Sequence, residues 1–122
     1  MARVSTALVV VAFFVVFPSM VLATEYVVGD SLGWSGDVDY DEWAAGKSFT
    51  VGDVLIFNYI ATDHNVVVAA SSDDYDNCVT SPNLGVYDTG HDEFTLNEAG
   101  TYYFLCSYHC DSLQQKVMVT VN

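Results

Sequence analysis

Residues Gly100 to Cys110 read GTYYFLCSYHC: a strand-like run ending at Cys106, continued without a break into Cys106-Ser107-Tyr108-His109-Cys110. Strand alternation places Tyr102, Phe104 and Cys106 on one face and Tyr103 and Leu105 on the other, so Cys106 ends a row of apolar side chains. Two cysteines and a histidine this close together admit three chemistries: a disulfide with a bystander imidazole, half of a zinc site, or part of a copper centre.

The compartment narrows that choice, because it decides what a cysteine can do. The chain opens with Arg3, an apolar run from Ala7 to Phe17, a break at Pro18-Ser19, and small residues up to Ala23. This is the layout of a secretory signal peptide. The run is shorter than the roughly 20 apolar residues of a spanning helix, so residues 1–23 are expected to be removed, leaving no stable membrane insertion. Residues 24–122 are expected to form one secreted domain. No polar stalk or apolar tail follows the domain, so no GPI-anchor signal is read. The mature chain contains no N-x-[ST] acceptor, and N-glycosylation is not expected.

Charge excludes one class of partner. All 16 acidic residues follow Ala23, where only Lys47 and Lys116 oppose them, a formal balance of 2 − 16 = −14. Phosphate recognition needs a basic surface, so nucleic acid is excluded. A cationic partner would be steered in, although a solubilising surface explains the same charge.

The mature chain reads as short strands between turns: Glu25–Val28, Ser48–Val51, Asp53–Ile60, Asn65–Ala70, Asp92–Leu96, Gly100–Cys106 and Lys116–Val121. These runs are rich in β-branched and aromatic residues, punctuated by Gly29-Asp30, Gly52-Asp53 and Ala99-Gly100. Asp39 followed by Glu42 starts one short helix, Asp39–Ala45. Seven strands imply an all-β sandwich or barrel. In the last strand Val117, Val119 and Val121 share the apolar face, and the same parity carried back puts Gln115 with them and Gln114 opposite.

Cysteine arithmetic then becomes informative. Cys78, Cys106 and Cys110 in an oxidising compartment form at most one pair and leave one thiol over. Spacing alone does not say which is odd. His109 lies three residues after Cys106, and His64 precedes the strand beginning at Asn65. One thiolate with two imidazoles is the equatorial set of a blue-copper site, completed by a weaker axial ligand. No paired acid and base, nucleophile elbow or zinc-protease motif is present, and the chain is not expected to be an enzyme.

In order from Tyr26 to Val117 stand YVVGDSLGW, WAAGKSFTVGDVLIFNY, a histidine followed by Asn-Val, a later cysteine, Thr-Gly, AGTYYFLC, His-Cys and Gln-Lys-Val. The chain resembles the phytocyanins, plant blue copper proteins related to plastocyanin, over nearly its whole mature length. The resemblance implies a cupredoxin-type Greek-key β-sandwich of about seven strands with one short helix. It implies His64, Cys106 and His109 as ligands of one type 1 copper ion and a Cys78–Cys110 disulfide. The second histidine follows the ligand cysteine after two residues, Ser107 and Tyr108, where phytocyanins usually have four. The axial ligand falls on Gln115 by the family's Gln-Lys pattern, or on Gln114 by counting from His109. Parity favours Gln115, and a glutamine there resembles the stellacyanin-like branch.

The implied function is a monomeric single-electron carrier in the extracellular, apoplastic space, serving a redox partner that is cationic or a small molecule. The alternative is a copper-free early nodulin-like binding or structural domain. His91 is read as a surface residue, Trp34 and Trp43 as packing residues, and Tyr108 as a neighbour of the site. Asp73, Asp74 and Asp76 lack the spacing of a calcium loop and are read as solvated loop.

Overall fold

The computed structural model describes residues 22–122; the expected signal peptide lies, save for its last two residues, outside the described residues. Seven strands form: β1 (Glu25–Val27), β2 (Val54–Asn58), β3 (Val66–Ala69), β4 (Asn83–Tyr87), β5 (His91–Thr95), β6 (Gly100–Leu105) and β7 (Lys116–Val121). Three short α-helices, α1 (Tyr40–Ala44), α2 (Ser72–Asp76) and α3 (Cys110–Leu113), and one 3-10 turn at Asp30–Leu32 join them. One sheet runs β1-β2-β5 and the other β4-β3-β6-β7. Within the sheets β1 is parallel to β2, and the remaining neighbours are antiparallel.

The strand count agrees with expectation, but one member differs. Ser48–Val51 forms only an isolated bridge, Phe49 to Val121. The chain there turns at once: Asp53 N donates to Thr50 O, and Thr50 N returns a bond to the Asp53 carboxylate, which ends pairing before a ladder can grow. β4 instead supplies the seventh strand, pairing with β3. Its residues are mostly exposed on both faces and Gly85 interrupts them, so no burial rhythm marks it. Asp73, Asp74 and Asp76 lie in α2 rather than in a loop, because the Ser71 side chain accepts from Asp74 N and starts a helical turn. The expected helix is α1, five residues long, with the Asp39 carboxylate accepting from Glu42 N.

Alternation sorts the core into two layers. Phe104 and Cys106 of the β6 run join Val66 and Val68 of β3 and Val117 and Val119 of β7 between the sheets. Leu105, with Val67 and Ala69, faces outward into a smaller cluster under Tyr75 of α2. The inner layer is held by aromatic packing, with ring centroids of Phe57 5.2 Å and of Phe94 5.0 Å from Phe104, and Trp34 edge-on to Phe57 at 5.1 Å. Such pairs contribute about 0.5–1.5 kcal/mol each beyond burial.

Gly29 and Gly33 bracket the turn that delivers Trp34 to this layer. Gly29 has φ 80°, and a Cβ there would lie 2.1 Å from Gly33 O, a clash only glycine avoids. Trp34 N then donates to Asn58 O at 2.8 Å, which seats the indole against β2.

Asp53 is 1% exposed, and its carboxylate accepts from Thr24 N and Thr50 N, each at 2.9 Å. Burial works to raise its pKa, but the bonds from Thr24 and Thr50 outweigh that and hold it below the ordinary 3.8. A depressed folded-state pKa stabilises the fold fully above the unfolded value and is lost as pH falls through the folded one. Asp53→Asn should therefore cost about 1–3 kcal/mol at pH 6. In guanidinium titrations the gap to wild type should narrow below about pH 3.8; a gap that stays constant with pH would contradict this account.

Candidate metal centre

Three side chains from three parts of the chain converge at one end of the sandwich. Cys106 leaves β6 on the inner face and is fully buried, and its N–H donates to Gln115 O at 3.0 Å just before β7. His64 sits in the turn before β3, its N–H bonded to Ile60 O at 3.1 Å. His109 precedes α3. The Cys106 Sγ lies 3.9 Å from His64 Nδ1 and 3.8 Å from His109 Nδ1, and the three potential ligand atoms all lie within 4.8 Å of one another. Both histidines are half-buried.

Gln115 is fully buried with the β7 valines, and its Oε1 lies 3.0 Å from His64 Nδ1. Its Nε2 has no hydrogen-bond partner among the described residues. Gln114 is exposed, takes a left-handed backbone with φ 54°, and donates from Nε2 to Asp111 O, away from the centre. Of the two glutamines, the one adjoining the His64 imidazole is thus Gln115.

A sulfur, two imidazole nitrogens and an amide oxygen crowd together as electron-pair donors, and a cation satisfies them all. Sulfur–nitrogen separations of 3.8 and 3.9 Å are short enough for one ion, bonding at about 2.0–2.3 Å, to reach the thiolate and each imidazole. The donor set is soft sulfur with two borderline nitrogens, which suits copper. The cluster fits a type 1 copper site.

The short Cys106-x2-His109 loop closes through a backbone hydrogen bond. Cys110 N bonds Cys106 O at 2.9 Å, making one tight turn that runs into α3. Cys110 then pairs with Cys78, and Cys106 is the free thiol. The crosslink spans 32 residues of sequence, worth about 3–4 kcal/mol in the chain-entropy model. It also clamps the residue next to His109.

Asn65 was legible in the sequence only as the neighbour of His64. Its Nδ2 donates to Ser107 Oγ at 2.8 Å and its Oδ1 accepts from Ser107 N at 2.9 Å, a two-point tie between the His64 turn and the Cys106 loop. Trp34 Nε1 donates to Asn65 O at 2.8 Å beneath that tie. Tyr40 packs on Trp34 at 4.8 Å, and burial pushes its phenol up to about 12, so it stays protonated and donates to Gly33 O. A short polar residue after the first histidine, able to both donate and accept, was the available signal.

The remaining expectations are placed plainly. His91 is exposed, beside Asn58 and Glu93 and remote in sequence pairing from the cluster. Trp34 and Trp43 are buried, and Tyr108 is 63% exposed with its ring 6.5 Å from that of His109.

Comparison with known proteins agrees with this geometry. Residues 33–114 match the family described as "Plastocyanin-like domain". Stellacyanin of Toxicodendron vernicifluum is 42% identical over 105 residues, covering 80% of this chain and 96% of that protein. A blue copper protein of Petunia hybrida is 42% identical over 100 residues, 80% of this chain, which spans only 37% of that protein's length. The solved structure of cucumber stellacyanin with Cu2+ superposes with a TM-score of 0.73 at 36% identity, covering 82% of this chain and 96% of that one.

Replacing Asn65 by Ala should remove both bonds to Ser107, costing about 1–3 kcal/mol of stability. Copper affinity in competition titrations should fall about tenfold or more. An Asn65→Ala protein with unchanged affinity and unfolding midpoint would remove the tie from the account.

Proposed function

This chain belongs to the plastocyanin-like family of blue copper proteins, the phytocyanins, and on that premise we propose that it is a secreted single-electron carrier. His64, Cys106 and His109 would hold its copper ion, with the Gln115 amide oxygen as a fourth, weaker donor. Residues 1–23 are a signal peptide, residues 24–122 the working domain, and the apoplast its place of action. The observation that carries this reading is the convergence of Cys106 Sγ with the two histidine Nδ1 atoms.

When bound, copper supplies a one-electron couple between Cu(II) and Cu(I). The chain's own residues do the rest. The buried Cys106 thiolate is a soft donor shielded from water, and its anchorage between β6 and β7 keeps the donor from moving. Half-buried His109 and His64 are the edges a partner can approach closely for the electron to pass. Gln115 would offer copper a hard amide oxygen beside His64, which would favour the oxidised ion and lower the potential. The chain binds no substrate covalently and performs no bond chemistry, which sets it apart from an enzyme. It works as a monomer with a redox partner.

Charge shapes that partnership. Lys47 Nζ donates to Trp43 O and lies 4.6 Å over the Trp43 ring, while Lys116 Nζ donates to Tyr75 O and lies 4.7 Å over the Tyr75 ring. With Lys47 engaged by Trp43 of α1 and Lys116 by Tyr75 of α2, the acidic surface favours encounter with a cationic partner.

Copper(II) added to the secreted protein should produce an intense visible thiolate-to-copper band. Cys106→Ser should abolish that band while the far-ultraviolet dichroism of the β-sheets persists. A colourless wild type with intact sheets would favour the copper-free binding domain instead. Gln115→Met should raise the reduction potential measured by voltammetry; a fall or no change would argue against an axial amide.

A further inference from the structure

We propose that cleavage after Ala23 completes an ion pair between the new α-ammonium of Thr24 and the buried carboxylate of Asp53, a latch that fastens β1 to β2 only in the processed chain. The inference rests on the processing proposed above and adds a consequence for the fold. Asp53 Oδ1 already accepts from Thr24 N at 2.9 Å, and Thr24 O accepts from Val54 N at 2.9 Å, so the residue is held at both ends. In the unprocessed chain Thr24 N is a peptide amide with one hydrogen and no charge. Hydrolysis of the Ala23–Thr24 bond gives the water oxygen to the Ala23 carboxylate and leaves the Thr24 nitrogen as an ammonium, already aimed at Oδ1.

Asp53 has reason to take such a partner. It is 1% exposed, and every bond it accepts comes from a neutral group. Among the described residues no lysine pairs with a carboxylate, since Lys47 and Lys116 donate to backbone carbonyls. The α-ammonium is the third cation of a chain whose acids outnumber its lysines by 16 to 2 after Ala23. Thr24 itself is exposed, so the other two ammonium protons face water and the charge is only partly desolvated. That geometry escapes the heavy penalty of burying both partners.

The position magnifies the effect. β1 is three residues long, at the edge of its sheet, and pairs only with β2 in a parallel ladder. Parallel pairs are slightly weaker per residue, and a terminal strand frays unless tied down. A charge-assisted bond is roughly twice as strong as a neutral one.

The test expresses the full 122-residue chain in a eukaryotic secretory host, beside a variant with one glycine inserted between Ala23 and Thr24. The insertion keeps the Thr24 N–H but moves the ammonium off Oδ1. Intact mass establishes each N-terminus, and guanidinium titration gives each unfolding constant. The latch predicts a product beginning at Thr24 whose unfolding constant is about five- to tenfold smaller than that of the glycine-extended form. Asp53→Asn in both backgrounds should erase the difference; if that variant does not fold, the insertion alone decides. Equal constants with the N-terminus at Thr24 would overturn the latch and leave the processing intact. An N-terminus elsewhere would overturn the processing and the latch together, and mass distinguishes the two results.

Discussion

Burial of Phe104 and Leu105 on opposite faces at the end of β6 fixes the register in which Cys106 leaves the sheet. Phe104 and Cys106 face the inter-sheet core while Leu105 faces the cluster beneath α2, so each neighbouring residue is claimed by a different layer. A slip of one residue would send Phe104 and Leu105 to the wrong sides and the thiol outward with them. The position of the Cys106 donor is thus enforced by the hydrophobic packing of Phe104 and Leu105 just before it. β7 reinforces the same constraint, pairing with β6 over six residues from Gly100–Val121 to Leu105–Lys116 and placing Gln115 one step before the ladder.

Much of this was readable because period-two patterns survive wherever one face is apolar. The β6 and β7 runs, the buried Gln115, the Asp39 cap and the packing tryptophans all follow from alternation or from local turn chemistry. What escaped notice lacked such a pattern. β4 is an exposed edge whose existence comes from backbone bonds to β3, which leave no trace in side-chain type. Ser48–Val51 has strand-like residues, yet the Asp53 carboxylate turns the chain before pairing extends beyond the Phe49–Val121 bridge. α2 and α3 are each about one turn long, too short for helical periodicity to show.

At the candidate centre the cysteine and histidine types were legible and their supports were not. Asn65 and Ser107 are ordinary polar residues in sequence, and their value lies in a tie made across 42 positions of chain. The shortened loop looked like a departure from the family pattern. In space it is absorbed by one turn, with Cys110 N closing on Cys106 O and α3 starting at once.

The sheet also acts as a wall between competing thiols. Cys106 and Cys110 stand four residues apart, and in an extended chain either is able to join Cys78. Once β6 is seated, Cys106 lies on the inner side while Cys110 and Cys78 share the outer cluster. In the folded chain the topology thereby sets the Cys78–Cys110 pair apart from Cys106. The thiol reserved for the metal is spared because the fold has put it in a different room.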